Sequence, residues 1–502
     1  MIPTSGVAGT SRPEALASRS AWNALYLLIA ISMFNYIDRQ VLSAVLPKIE
    51  TDPAFGLLGD PNAKFWKNLL ATAFLVSYMV FAPLFGWLGD RLGRRWRLIG
   101  LAIMSWSLAS GGSGLAPTFT FLLMTRCLIG VGEGAYGPVS MALLTDVFPP
   151  SRRGFVIALV SSTIPVGSAI GFALGTIVAD STLGWRWAFY MVLPPGLLLG
   201  VLCFFMTEPR RGQSEVVEVA TRPVSAWEAM GLCLKIPSYA LATAGYTAMT
   251  FVTGGIAVVV IDYVHERQGI YAVSDEALTK IEADADLRRR LAPLQGVKFA
   301  GVDEFKHAVR NVLSMDDLAR KWGPLREAAR TKESPELGPV GIYFGLITVV
   351  GGLTATLAGS FLAGRLRPRL PSSDFLVSAI GALSGFPLLI AFLFVPFPFA
   401  WAILFFAVFC LFLNTGPVNT IVANVTPPAI RSMAYALNIF FLHAFGDVIS
   451  PPIIGAVTDR FDWTTAFLVI SGVVLLSGLL WLWGCRYLKR DEDHVPILLA
   501  RK

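Results

Sequence analysis

Gly137-Pro138-Val139 followed by Pro149-Pro150-Ser151-Arg152-Arg153-Gly154-Phe155-Val156-Ile157-Ala158-Leu159 returns later in the chain. There it reads Gly416-Pro417-Val418 followed by Pro427-Pro428-Ala429-Ile430-Arg431-Ser432-Met433-Ala434-Tyr435-Ala436-Leu437. The echo continues downstream, where Gly175, Asp180 and Trp185-Arg186-Trp187-Ala188-Phe189 correspond to Gly455, Asp459 and Trp463-Thr464-Thr465-Ala466-Phe467. So many matches in register mark an internal repeat. Parallel repeats of six helices point to two bundles that rock about a site near the bilayer midplane.

Composition agrees. The chain has 502 residues, of which 54% are hydrophobic and 15% charged, with a mean hydropathy of +0.61. That places it among integral membrane proteins of the all-α class. Apolar segments long enough to span lie near 22–47, 68–90, 97–116, 119–147, 154–180 and 187–206, then near 238–264, 340–364, 374–395, 399–423, 433–458 and 464–486. Twelve transmembrane helices in two six-helix bundles are the expectation. The domain reading is a tail over 1–21, a first bundle over 22–206, a linker over 207–237, a second bundle over 238–486 and a tail over 487–502. The second bundle is interrupted by a charged insert, 266–338.

Orientation follows from the arginines. Even-numbered connections carry Arg91, Arg94, Arg95 and Arg97, then Arg152 and Arg153, then Arg365, Arg367 and Arg369, then Arg431. Both termini are therefore expected in the cytoplasm, and short basic loops without an organellar signal suggest a bacterial inner membrane. The first residues are polar, which fits a tail and not a cleaved signal peptide. The net charge of +7 is that of basic cytoplasmic loops, and no nucleic-acid partner is expected. Five cysteines without a CxxC pattern predict neither a disulfide framework nor a metal site. No GxxxxGK[ST], HExxH or GxSxG motif occurs, so the reading is a non-enzyme without cofactors.

Trp227 to Lys235 in the linker reads equally as an amphipathic surface helix or as plain connector. In the insert, Ser274-Asp275-Glu276 and Ser314-Met315-Asp316-Asp317 have the form of helix starts. The insert would lie on the outer side, as a vestibule cap, a partner surface or a spacer.

Within the first span, Asn35-Tyr36-Ile37-Asp38-Arg39 sets an acid beside a base. A charge at such depth costs about 2.5–3.5 kcal/mol on insertion scales, so something must offset it. Helix 4 carries Arg126 and Glu133, seven residues apart on one face and about 10 Å apart along the axis. Opposite helix directions bring Asp38 and Arg126 to similar depth, so an Asp38–Arg126 pair is expected. It would be either a static ion pair or a switch. Burial favours a neutral carboxyl and a nearby arginine an ionised one, so withdrawal of Arg126 would let Asp38 take up a proton. Asp38 and Glu133 are the candidate proton carriers. Arg39, Arg126 and Glu133, with Asn35 and Tyr36, are the candidate substrate contacts, the guanidinium fork suiting a phosphate headgroup. His443 and Asp447, one helical turn apart, read as a locally satisfied polar pair.

Gly86-Trp87-Leu88-Gly89-Asp90-Arg91-Leu92-Gly93-Arg94-Arg95 closes helix 2. Its glycines permit close helix contact, Asp90 can face a helix N-terminus, and the arginines can meet anionic headgroups. Gly86, Asp90, Arg91, Gly93, Arg94, Arg95 and Arg153 form the expected cytoplasmic gate. The second half repeats the loop as Gly359-Ser360-Phe361-Leu362-Ala363-Gly364-Arg365, with Gly364 where Asp90 would fall. This loop resembles the signature of the major facilitator superfamily, and Ile164-Pro165-Val166-Gly167 through Gly175 on helix 5 resembles its exporter motif. Together with Asn35-Tyr36-Ile37-Asp38-Arg39 and Gly132-Glu133-Gly134, it resembles the Spinster branch. That resemblance implies an alternating-access, proton-coupled exporter of lysolipids or sphingoid lipid phosphates, monomeric among membrane lipids, in which Asp38 and Arg126 form a switching ion pair. The alternatives are an exporter of drugs or small organic anions, and a non-transporting receptor or scaffold that uses the insert.

Overall fold

The computed structural model describes residues 19–57, 63–214, 224–334, 337–461 and 463–499. The first half contains helix 1 (Arg19–Thr51), helix 2 (Ala63–Arg91), helix 3 (Arg95–Gly114), helix 4 (Phe119–Val147), helix 5 (Pro150–Ser161 and Thr163–Asp180) and helix 6 (Arg186–Cys203). The second contains helix 7 (Pro237–Arg267), helix 8 (Leu337–Leu366), helix 9 (Ser373–Phe394) and helix 10 (Phe399–Phe412 and Thr415–Val425). Helix 11 follows as Arg431–Leu442, a π-helical turn His443–Asp447 and Ser450–Arg460, and helix 12 is Trp463–Gly484.

Among the described residues, ten of these helices are long and apolar enough to cross a bilayer by composition alone. Helices 3 and 7 carry hydroxyls along their length, including the buried Ser107, Ser110 and Ser113 and the cavity-facing Thr250 and Thr253. Large apolar side chains such as Leu101, Leu108, Phe172, Ile177 and Phe361 are exposed around the perimeter. In water such a surface would aggregate; in a bilayer it is the lipid-facing belt.

Helices within a half approach closely through small residues. A Cβ at Gly171 of helix 5 would stand 2.3 Å from the carbonyl oxygen of Ile37 on helix 1, so this crossing needs glycine. Between halves, helix 2 packs on the first part of helix 11 and helix 5 packs on helices 8 and 10.

Outside the bundles, Ala226–Lys235 is a helix N-capped by Ser225, with Trp227 exposed and Ala229 and Cys233 buried against the second half. The insert folds around its own core. Strands Ile270–Ala272 and Lys298–Ala300 pair antiparallel with Tyr271 opposite Phe299, and Phe305 stacks on Tyr271 at 5.3 Å. Ser274 and Ser314 cap their helices through Ala277 N and Asp317 N, as their sequence pattern predicts. The insert rests on the second half: Glu266 accepts from Arg326 at 2.5 Å and from the Trp463 indole at 2.8 Å, and Lys306 donates to the Phe461 carbonyl.

Candidate functional site: a central cavity above a closed face

A cavity of about 390 Å³ lies between the halves. Helices 1, 2 and 4 contribute Asn35, Tyr36, Arg39, Tyr78 and Glu133, while helices 7, 10 and 11 contribute Tyr246, Asn414, Asn419, Asn438, His443 and Asp447. Arg39 is the charged centre of the first wall. Its Nε donates to Glu133 Oε2 at 2.6 Å, and its guanidinium lies 4.9–5.3 Å from the ring centres of Tyr36, Phe74 and Tyr78. Three aromatic faces and one carboxylate thus compensate a cation that would otherwise be costly at this depth. Glu133 Oε1 and Asn35 Nδ2 are buried without a protein partner, which leaves hydrogen-bonding capacity inside the site.

Asp38 faces elsewhere. It lines a separate cavity of about 220 Å³ between helices 1, 2 and 4, together with Arg126 and the flank of Arg39. The expected direct Asp38–Arg126 pair is not made in this state. Asp38 Oδ1 instead accepts from Ser110 at 2.5 Å, and Arg126 donates to Ser113 at 2.6 Å, both serines belonging to helix 3. Asp38 Oδ2 and Arg126 Nε remain buried without partners beside the same cavity. Consecutive helical residues diverge by about 100°, so Asp38 and Arg39 address different neighbours, and helix packing decides which charge of helix 4 each one meets. Arg39, not Asp38, holds the ion pair. Across the main cavity, His443 Nδ1 lies 2.9 Å from Asp447 on the π-helical turn, and Tyr78 packs edge-on against His443 at 5.3 Å.

Toward the face that bears the termini, the halves interlock. Asp90 accepts from the backbone N–H groups of Ser432 (3.0 Å) and Met433 (2.8 Å), satisfying the first turn of helix 11 with a charge of favourable sign. A Cβ at Gly86 would meet Ala436 Cβ at 2.5 Å, so the same crossing needs glycine. Asp146 accepts from Arg95 at 2.5 Å and from Arg431 of the other half at 3.1 Å, with all three side chains buried. Arg153 donates to the Thr145 carbonyl and reaches Asn424 of the second half at 3.0 Å. Of the expected gate residues, Gly86, Asp90, Arg95 and Arg153 meet here. Arg91, Gly93 and Arg94 do not: all three are exposed, Arg91 lies over the Trp87 ring, and nothing surrounds Gly93.

The family model described as Major Facilitator Superfamily matches residues 28–277 and 333–496. The chain belongs to that superfamily. The unmatched gap falls within the insert. Spinster homolog 3 of Danio rerio is 28% identical over 99% of this chain and 91% of its own length. Spinster homolog 1 of Homo sapiens is 31% identical over 88% of this chain and 74% of its own. These relatives place the chain in the Spinster branch. The crystal structure of the E. coli fucose:proton symporter covers 93% of this chain and 99% of that one, with a TM-score of 0.64 at 14% identity, a likeness of fold. Transport of a small-molecule substrate by a secondary transporter follows from membership of this superfamily.

Several residues of this contact between the halves are absent from the sequence expectations: Asp146, Asn424, the pairing of Arg431, and Glu208 and Arg211 of the linker. The internal repeat holds a signal for two of them, since Asp146 and Asn424 each stand three residues before a repeated Pro-Pro.

Proposed function

We propose that this Spinster-type transporter exports lysolipids or sphingoid lipid phosphates in exchange for protons by alternating access. The observation that carries the reading is the Arg39–Glu133 pair facing the central cavity, with the unpaired Asp38 and Arg126 behind it. A proton on Glu133 would release Arg39 from its partner and offer the guanidinium to an anionic headgroup. Loss of that proton would restore the pair and displace the headgroup. Asp38, separated from the cargo by Arg39, is the second carrier, and Arg126 sets its charge state as the halves move. The arginine-rich face bearing the termini is the cytoplasmic one, so the interlocked side is the cytoplasmic side, and the chain works as a monomer in a bacterial inner membrane.

A small organic anion is the second reading. The polar lining by Asn414, Asn419, Asn438 and Thr250 favours it. Proteoliposomes under an imposed pH gradient separate the two, with lysophosphatidylglycerol and a short dicarboxylate as alternative cargoes. Asp38→Asn and Glu133→Gln are each expected to abolish gradient-driven accumulation, and Glu133→Gln to preserve cargo binding because Arg39 is then free. Gradient-driven transport that survives Asp38→Asn removes that residue from coupling.

A further inference from the structure

Residues 207–214 leave helix 6 and are stitched to both halves across the closed face. Glu208 accepts from Arg95 Nε at 3.2 Å and from the backbone N–H of Trp96 at 3.1 Å, completing the first turn of helix 3. Ser214 donates to the Thr145 carbonyl at 3.1 Å and accepts from Arg153 at 3.3 Å. Between them the chain makes a tight turn, closed by Gln213 N donating to the Arg210 carbonyl, with Gly212 at φ +60° in the left-handed region.

That turn presents Arg211 inward. Its NH2 donates to the carbonyl of Gly89, in the last turn of helix 2, at 2.6 Å. Its NH1 reaches the carbonyl of Ala429, in the helix 10–11 connection of the other half, at 3.4 Å and lies 3.8 Å from Asp90. One guanidinium therefore caps a helix C-terminus in the first half, grips a backbone carbonyl in the second, and neighbours the carboxylate that caps helix 11. A planar fork with several donors can hold such divergent acceptors, whereas a lysine ammonium cannot reproduce that geometry. Burial pulls the Arg211 guanidinium below its ordinary pKa and Asp90 offsets part of this, as for a cation held inside an interface.

We propose that Arg211 is a positioning residue of the transport cycle, a bolt supplied by the linker that must release Ala429 before the termini side opens. The linker is then a working part of the gate. Because Arg211 stays tethered beside its acceptors after release, its effective concentration remains high, and the linker favours re-closure after each cycle. The proposal rests on the alternating-access reading.

Spin labels at Leu92 and Leu370, both exposed on the termini side, report the separation of the halves in the full chain with its five cysteines replaced by alanine. Wild type should populate mainly the short distance. Arg211→Ala should raise the long-distance population several-fold, and Arg211→Lys should fall between. Gly212→Val, which keeps the charge but strains the turn, should follow Arg211→Ala. Equal distributions for Arg211→Ala and wild type overturn the proposal even if thermal stability drops, since that would be a merely structural role. Asp146→Ala separates the two readings. If it opens the termini side and Arg211→Ala does not, only the bolt fails; if no variant ever populates a second distance, alternating access fails and the bolt with it.

Discussion

The two halves of the closed face derive from one repeated segment, and they have not kept the same chemistry. Aligning Pro149-Pro150 with Pro427-Pro428 sets Arg153 against Arg431 and Asp146 against Asn424. Each arginine crosses to the opposite half: Arg431 reaches Asp146 as an ion pair, while Arg153 reaches Asn424 as a hydrogen bond to an amide. The geometry is two-fold, but the charge is not. Likewise Asp90 caps helix 11, whereas a Cβ at its counterpart Gly364 would meet nothing within 4 Å. A second buried ion pair across this face would add its own cost of separation, whereas a hydrogen bond to an amide is the weaker contact.

The hardest test of that asymmetry removes the acid that both halves share. Asp146→Ala takes the shared carboxylate from the buried Arg431 and leaves Arg95 only Glu208, and breaking a buried pair costs about 3–5 kcal/mol. Thermal unfolding in detergent should fall sharply and gradient-driven transport should be lost. A variant as stable and as active as wild type would show that these pairs are incidental to closure. Asn424→Asp approaches the question from the other side by restoring the missing acid opposite Arg153. The termini-side-closed population should grow and turnover should slow several-fold, read by the same paired spin labels and by transport rate. Faster turnover would refute the idea that the weaker contact eases release.

Much of this architecture is legible in the chain itself, for physical reasons. Span length and apolarity follow from bilayer thickness, and repeated Gly and Pro record backbone demands that both halves share. Ser274 and Ser314 announce helix starts because capping is local. The pairing of charges is not local. Asp38 and Arg39 differ by one position, yet the rotation of helix 1 set by glycines such as Gly171 sends one toward helix 3 and the other toward Glu133. Asp146 lies at the end of an apolar run, 51 residues from Arg95 and 285 from Arg431, so no spacing rule points to either partner. The linker residues Glu208 and Arg211 read as generic loop charges until the carbonyls they meet are in view.

The smallest expected effect comes from restoring the second lost acid. Gly364→Asp recreates the loop signature of the first half, and if that signature acts by itself the substitution should tighten closure as Asn424→Asp does. The surroundings argue otherwise. Asp90 acts because helix 11 begins against it and Arg211 stands beside it, whereas an added side chain at Gly364 would enter open space. A solvated carboxylate without a partner changes stability by no more than about 0.5 kcal/mol. Transport and the spin-label distances of Gly364→Asp should therefore match wild type. A marked shift toward the closed state would mean that the second loop meets a cationic partner during the cycle, and the asymmetry would then belong to one conformation and not to the fold.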